Sequence, residues 1–256
     1  MTNKSINKFY VFMGSLFIFF IHFPFVFAKV KPHAQLVAGP STITSGYFGF
    51  RGEMPYSSEK SLVYDSLQLN TIGLSKKAFD NALKGFNQLR SMGKLENDQI
   101  LSIVDFSLPS SSKRLFVIDL KNFKILFNTY VAHGRNSGKE FANEFSNEPE
   151  SYKSSLGFYV TKDTYHGSHG YSLHLEGEEK GINDNAYSRA IVMHSASYVG
   201  ASVVKSQGYL GRSLGCPALP ANLYKPIIEK IKNGSCLFLY SPNEEYLSRS
   251  RLLQTS

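Results

Sequence analysis

From residue 100 onward the apolar residues gather in short runs rich in β-branched and aromatic side chains, the signature of strands. The runs are 100–106 (ILSIVDF), 114–120 (RLFVIDL), 123–131 (FKILFNTYV), 156–161 (LGFYVT), 171–175 (YSLHL), 189–194 (RAIVMH) and 235–240 (SCLFLY). Loops rich in Gly, Ser and Asn separate them, and Lys121-Asn122 reads as the turn of a hairpin. The only late helix expected covers about 222–233, where Pro226 falls in the first turn and Gly234 ends it. Strands that follow one another without intervening helices predict a mainly β sandwich or barrel.

The region before the strands is different. Residues 61–92 carry apolar side chains near helical spacing and predict two short helices divided at Gly73, with Ser75 as an N-cap and Met92-Gly93 closing the second. Residues 29–60 are rich in Gly, Ser, Thr and Pro without a sustained period and read as a linker. Residues 1–28 combine Lys4 and Lys8, an apolar stretch and a Val26-x-Ala28 end, the pattern of a secretory signal. The competing reading is an uncleaved membrane anchor, which His22 and Pro24 interrupt. This predicts export to the periplasm, the cell envelope or the extracellular space. The expected organisation is a signal peptide (1–28), a linker (29–60), a helical segment packed on the catalytic domain (61–98), a catalytic body (99–241) and a C-terminal tail (242–256).

Composition narrows the chemistry. Of 256 residues, 42% are hydrophobic and 19% charged, which excludes a disordered or fibrous chain. Removing the first 28 residues lowers the formal charge from +8 to +6, and a basic exported protein favours anionic surfaces. Two cysteines permit at most one disulfide and no four-cysteine zinc module.

The segment Gly211-Arg-Ser-Leu-Gly-Cys-Pro-Ala218 concentrates two glycines, a hydroxyl, a thiol and a proline. Its GRSLG matches the nucleophile elbow of serine hydrolases, but that class needs a histidine downstream of the serine, and the last histidine is His194. The thiol of Cys216 is the better nucleophile. His194 ends a strand-like run 22 residues upstream, within reach of a single returning loop. Gly215 allows close passage of the backbone, so the amides of Gly215 and Cys216 are candidate oxyanion donors. Pro217 keeps Cys216 from starting a helix. The bland alternative for Cys216 is a half-cystine with Cys236 or a small buried residue; Cys236, opening CLFLY, reads as inert packing. His166-Gly-Ser-His169 lies on a Gly-rich loop without H-E-x-x-H, so no metal site is expected.

His194-Ser195 followed by Ser213-Leu-Gly215-Cys216 resembles the signature of the YkuD-type L,D-transpeptidases, in the branch with Gly-Cys-Pro. Residues 105–120, 129–138, 154–159 and 169–177 are similar to that branch as well, so the resemblance covers roughly 61–241. It implies an L,D-transpeptidase-like β-sandwich with a short helical N-terminal segment and one late helix. It also implies an exported enzyme acting on peptidoglycan stem peptides of the cell wall, with no metal or organic cofactor and no nucleic-acid partner.

In such enzymes the cysteine attacks the carbonyl of the third stem-peptide residue and releases D-alanine. The thioester then passes to an acceptor amine, or to water in L,D-carboxypeptidase action. Carried over, Cys216 is the nucleophile and His194 the general base, with Ser195 orienting the imidazole through its carbonyl, Gly215 an oxyanion donor and Ser213 a brace for the loop. The common signature has His before the Gly-Cys pair and often Asn or Arg soon after; here Leu214 and Ala218 stand there, and the His-to-Cys spacing is longer. Arg212, His133, His169 and Tyr171 are the candidate substrate contacts, with loop-structural roles as their alternative. Competing functions are a non-catalytic wall-binding module and an unrelated cysteine peptidase on the same stem peptides.

Overall fold

The computed structural model describes residues 62–254; the expected signal segment and linker lie outside them. A helical turn at 62–66 runs through turns to Gly73, which has φ +89°, and then helix α1 (Lys76–Ser91) begins. Ser75 caps it as expected, its side chain accepting from the Ala78 amide at 3.0 Å. Ala78, Phe79, Ala82, Leu83, Phe86 and Leu89 fall three or four apart, so they form one stripe, and all are buried. Gly85 belongs to the same stripe: a Cβ there would lie 2.0 Å from the Phe158 ring. The Ser75 amide also donates to Asp105 Oδ2 at 3.3 Å, fixing the start of α1 against the end of the first strand.

Eight strands follow: β1 (Ile100–Asp105), β2 (Leu115–Asp119), β3 (Lys124–Thr129), β4 (Gly157–Gly167), β5 (Gly170–Gly177), β6 (Val192–Ala196), β7 (Ala218–Pro220) and β8 (Cys236–Tyr240). They are hydrogen-bonded in the order β3-β2-β1-β8-β4-β5-β6-β7. β8 runs parallel to β1, with Leu101 opposite Cys236, and antiparallel to β4. Every residue of β1 and β8 is buried, which is why both read as unbroken apolar runs instead of alternating. Beyond β3, the Ala132 amide donates to the Ala218 carbonyl at 2.9 Å, and Gly134 bridges Ser213. The chain leaving one outer strand is thus joined to the chain entering the other, and the sheet nearly closes. The mainly β fold is the one expected.

Several elements depart from the sequence reading. β4 and β5 extend well past the apolar runs because their hairpin tip is polar and exposed. The run 189–194 becomes strand only at Val192, since Ala190 has φ +53° inside a tight turn. β7 is three residues long and includes a proline, too short for a periodic signal. Helix α2 (Ala201–Gln207) buries none of its residues and so carries no apolar stripe. Helix α3 (Tyr224–Ile231) is the expected late helix.

Residues 242–254 are no loose tail. Helices α4 (Glu244–Arg249) and α5 (Arg251–Gln254) bury Tyr246, Leu252 and Leu253 in the main core. Their anchor is the buried Glu179 carboxylate, which accepts from the Phe158 amide at 2.8 Å, the Tyr246 hydroxyl at 3.1 Å and the Ser250 hydroxyl. A polar anchor of this kind leaves no mark on hydrophobic periodicity.

Candidate active site

The parallel pairing of β6 with β7 sets the site. It puts His194 opposite Ala218 and carries Cys216, two residues earlier, to the start of β6. There the Val192 amide donates to the Cys216 sulfur at 3.5 Å, and the Ala190 carbonyl lies 3.7 Å from it, within reach of the thiol proton. Burial pushes the Cys216 thiol up, while the Val192 amide and the Arg189 charge pull it down. Both cysteines are free, and Cys236 is fully buried in β8.

His194 is almost fully buried, and its Nδ1 lies 2.8 Å from the Ser195 carbonyl. That contact fixes the proton on Nδ1 and leaves Nε2 as the acceptor. Burial lowers the His194 pKa, the Ser195 contact raises it, and His169 lowers it. The rings of His169 and His194 stack with centroids 4.3 Å apart. His169 therefore stands at the site, carried there by the tip of the β4–β5 hairpin. The Cys216 sulfur bonds to the backbone of the chain entering β6, the strand that bears His194.

The loop ahead of Cys216 is held on three sides. The Ser213 hydroxyl donates to the Cys216 carbonyl at 2.6 Å and accepts the Gly215 amide at 3.1 Å. The Gly215 carbonyl accepts from Ser154 Oγ at 3.0 Å. Gly215 has φ +129°, and a Cβ there would lie 2.9 Å from the Lys153 carbonyl, so glycine is required. Because its amide is committed to Ser213, Gly215 does not offer an oxyanion donor as expected. The Cys216 amide lies beside its own sulfur and helps pull the thiol pKa down.

The four expected substrate contacts separate. His133 is fully buried: its Nδ1 accepts from Arg114 Nη2 at 2.6 Å and its Nε2 lies 3.2 Å from the Gly138 carbonyl. It cannot touch substrate, and its carbonyl instead accepts the Ser213 amide at 2.9 Å, supporting the loop that carries Cys216. Tyr171 donates its hydroxyl to Glu229 on α3, which ties the hairpin down. Arg212 is exposed on the loop, 3.4 Å from the Gly138 carbonyl. Of the four, His169 is the one that stacks on His194.

Two neighbours of the thiol escaped the sequence reading. Arg189 donates to the Ser146 carbonyl at 2.8 Å and the Lys153 carbonyl at 2.9 Å, clamping the strap 146–155 against the loop. Burial lowers its pKa and the nearby thiol raises it. Tyr198 is held up by burial and by the same thiol. Arg189 had a visible signal, a lone charge opening a strand-like run; Tyr198 had none. Among the described residues no group of three or more His, Cys, Asp or Glu side chains gathers to hold a metal, and no helix is long and apolar enough to cross a membrane.

The fold defines a mainly β protein with a free cysteine on a loop between two parallel strands, one of which bears a buried histidine. The family model described as the L,D-transpeptidase catalytic domain matches residues 70–240, so the chain belongs to that family. Solved structures similar to it include an L,D-transpeptidase from Mycobacterium smegmatis, at 13% identity and TM-score 0.35 over 56% of this chain and 59% of that one. Another is the helical cell shape determining protein Pgp2 from Campylobacter jejuni, at 13% identity and TM-score 0.38 over 64% and 57%. A third is an L,D-transpeptidase from Stackebrandtia nassauensis, at 15% and 0.34 over 64% and 67%. The chain spans about three-fifths of the length of the first of these. No curated protein matches it.

Proposed function

We propose that this chain is an exported peptidoglycan L,D-transpeptidase working through a Cys216 thioester. Membership of the L,D-transpeptidase catalytic-domain family supports the reaction class. The observation that carries the residue assignment is the β6–β7 pairing, which brings the Cys216 sulfur to the Val192 amide on the strand that bears His194. In the proposed reaction Sγ attacks the carbonyl carbon of the third stem-peptide residue, and its proton passes to His194 Nε2. The Cys216 amide donates to the oxyanion. Collapse of the intermediate breaks the C–N bond, and the His194 proton leaves with the amine of D-alanine. An acceptor amine then attacks the thioester, the C–S bond breaks, and His194 returns the proton it takes from that amine to sulfur. Water in place of the amine gives carboxypeptidase action.

The test is intact mass spectrometry of the protein and of Cys216→Ala after exposure to a carbapenem, whose strained ring is an acyl donor for the thiol. The expected result is a single adduct on the wild type and none on the variant. No adduct on either would favour a wall-binding module over an enzyme.

A further inference from the structure

Arg189 stands where the chain turns into β6. Ala190, which follows it, has φ +53°, a left-handed backbone that is costly for a residue with a Cβ. Around this turn the Ala190 carbonyl comes within 3.7 Å of the Cys216 sulfur, and the Val192 amide lies 3.5 Å from it. The Arg189 side chain meanwhile enters the strap 146–155. Nη1 donates to the Ser146 carbonyl at 2.8 Å and to Ser155 Oγ at 2.5 Å, and Nη2 to Ser151 Oγ at 3.1 Å and the Lys153 carbonyl at 2.9 Å. Those bonds use every hydrogen on the two terminal nitrogens, so the guanidinium cannot swing away. It also lies against the loop that carries Cys216: a Cβ on Gly215 would be 3.6 Å from Nη2 and 2.9 Å from the Lys153 carbonyl that holds it.

Nothing in this arrangement cancels the charge. The partners of both terminal nitrogens are neutral oxygens, and the remaining nitrogen, Nε, is buried without a partner among the described residues. The carboxylate whose charge reaches Arg189 is Glu148, exposed on the strap. A half-buried cation answered only by neutral dipoles is a costly clamp, because a neutral amide could bond the same strap without desolvating a charge.

The other ionisable groups around the sulfur supply no such charge. Burial keeps His194 on β6 neutral at pH 7, and Lys153 on the strap turns to Glu144 at 3.2 Å. The hydroxyls of Tyr159 on β4 and Tyr198 beyond β6 are held protonated by burial. Arg189 is the charged side chain that draws the Cys216 thiol toward ionisation, and the thiol in turn favours the charged guanidinium.

We propose that Arg189 is the positioning residue for the Cys216 thiolate: the strap 146–155 fixes the guanidinium, and the guanidinium stabilises the negative charge left when the sulfur gives up its proton. The inference concerns the thiol itself and does not rest on the proposed function.

The test is alkylation of the full chain by iodoacetamide from about pH 5 to 10. The thiolate displaces iodide, forming a C–S bond as the C–I bond breaks, so the rate titrates Cys216. Cys236 is fully buried and stays unreacted, which the mass of the alkylated peptide checks. In Arg189→Gln the midpoint rises by about one pH unit, while the rate of the fully ionised thiol changes by no more than about three-fold. Two variants separate charge from clamp. Arg189→Lys keeps the charge and loses the fork, and Ser151→Ala with Ser155→Ala removes two strap bonds and leaves the charge. Both hold the midpoint near that of the wild type. An unmoved midpoint in Arg189→Gln would overturn the proposal. A rise of about one unit in Arg189→Lys or in the serine variant would overturn it too, by assigning the effect to the clamp, and these comparisons decide the matter if Arg189→Gln does not fold. Failure of the carbapenem test would count against the enzyme reading and leave this titration intact.

Discussion

His133 and Arg114 show how a residue can serve the site without touching substrate. Arg114 is fully buried, with burial lowering its pKa to about 9, so it remains a cation at neutral pH. Its guanidinium donates to the Val131 and Leu108 carbonyls and to the His133 ring. Burial, with Arg114 beside it, holds the His133 pKa down to about 4. A histidine kept neutral in the fold but able to take a proton when unfolded stabilises the protein above its ordinary pKa. That contribution is lost as pH falls from about 6.5 toward 4, a window worth about 3 kcal/mol. Urea unfolding at pH 7, 5.5 and 4 therefore shows an acid loss that shrinks in His133→Gln; an unchanged loss would assign it to other groups. At this scale the return of Cys216 to the strand that bears His194 was legible, because 22 residues leave room for a single returning loop. The burial of His133 was not, since it depends on an arginine 19 residues away.

Elements built on period were the readable ones: the stripe of α1, the β1 and β8 runs and the hairpin at Lys121-Asn122 all declare themselves. Even there, packing overrules propensity. Gly85 in mid-helix is intrinsically worse than alanine by about 1 kcal/mol. Its missing Cβ is what lets α1 settle onto the Phe158 ring, itself stacked on Phe238 with centroids 4.0 Å apart. Gly85→Ala is therefore expected to destabilise by up to about 2 kcal/mol, an overpacking cost of about 1–3 less the propensity gained, read as a lower urea midpoint. A raised midpoint would mean that the ring moves aside freely. A bulge in β4, between Thr161 and Thr164, was illegible because it is one extra polar residue in an exposed stretch, and its effect appears only against the register of β5.

For the molecule as a whole, the C-terminal helices belong to the body, and Glu179 is the reason. Burial raises its pKa, while Ser250, the Phe158 amide and Tyr246 each lower it. A carboxyl raised by the fold contributes stability that is full below its unfolded pKa and is lost as pH climbs through the folded one. Tyr246→Phe removes a donor to the charged form, so it costs about 1–2 kcal/mol at pH 7 and less as the medium is acidified through the Glu179 titration. Chemical denaturation at both ends of that range checks the trend; a deficit independent of pH would put the loss in packing. The position of β8 has a further consequence. It lies between β1 and β4 in the sheet, yet it is the last strand among the described residues. A chain emerging from the ribosome can form the β1–β2–β3 meander and the β4–β5 hairpin early, but they have nothing to join them until residue 240 has appeared. Loop closure over such a span is slow. The sheet that seats the Cys216 sulfur is thus completed only after residue 240 has emerged.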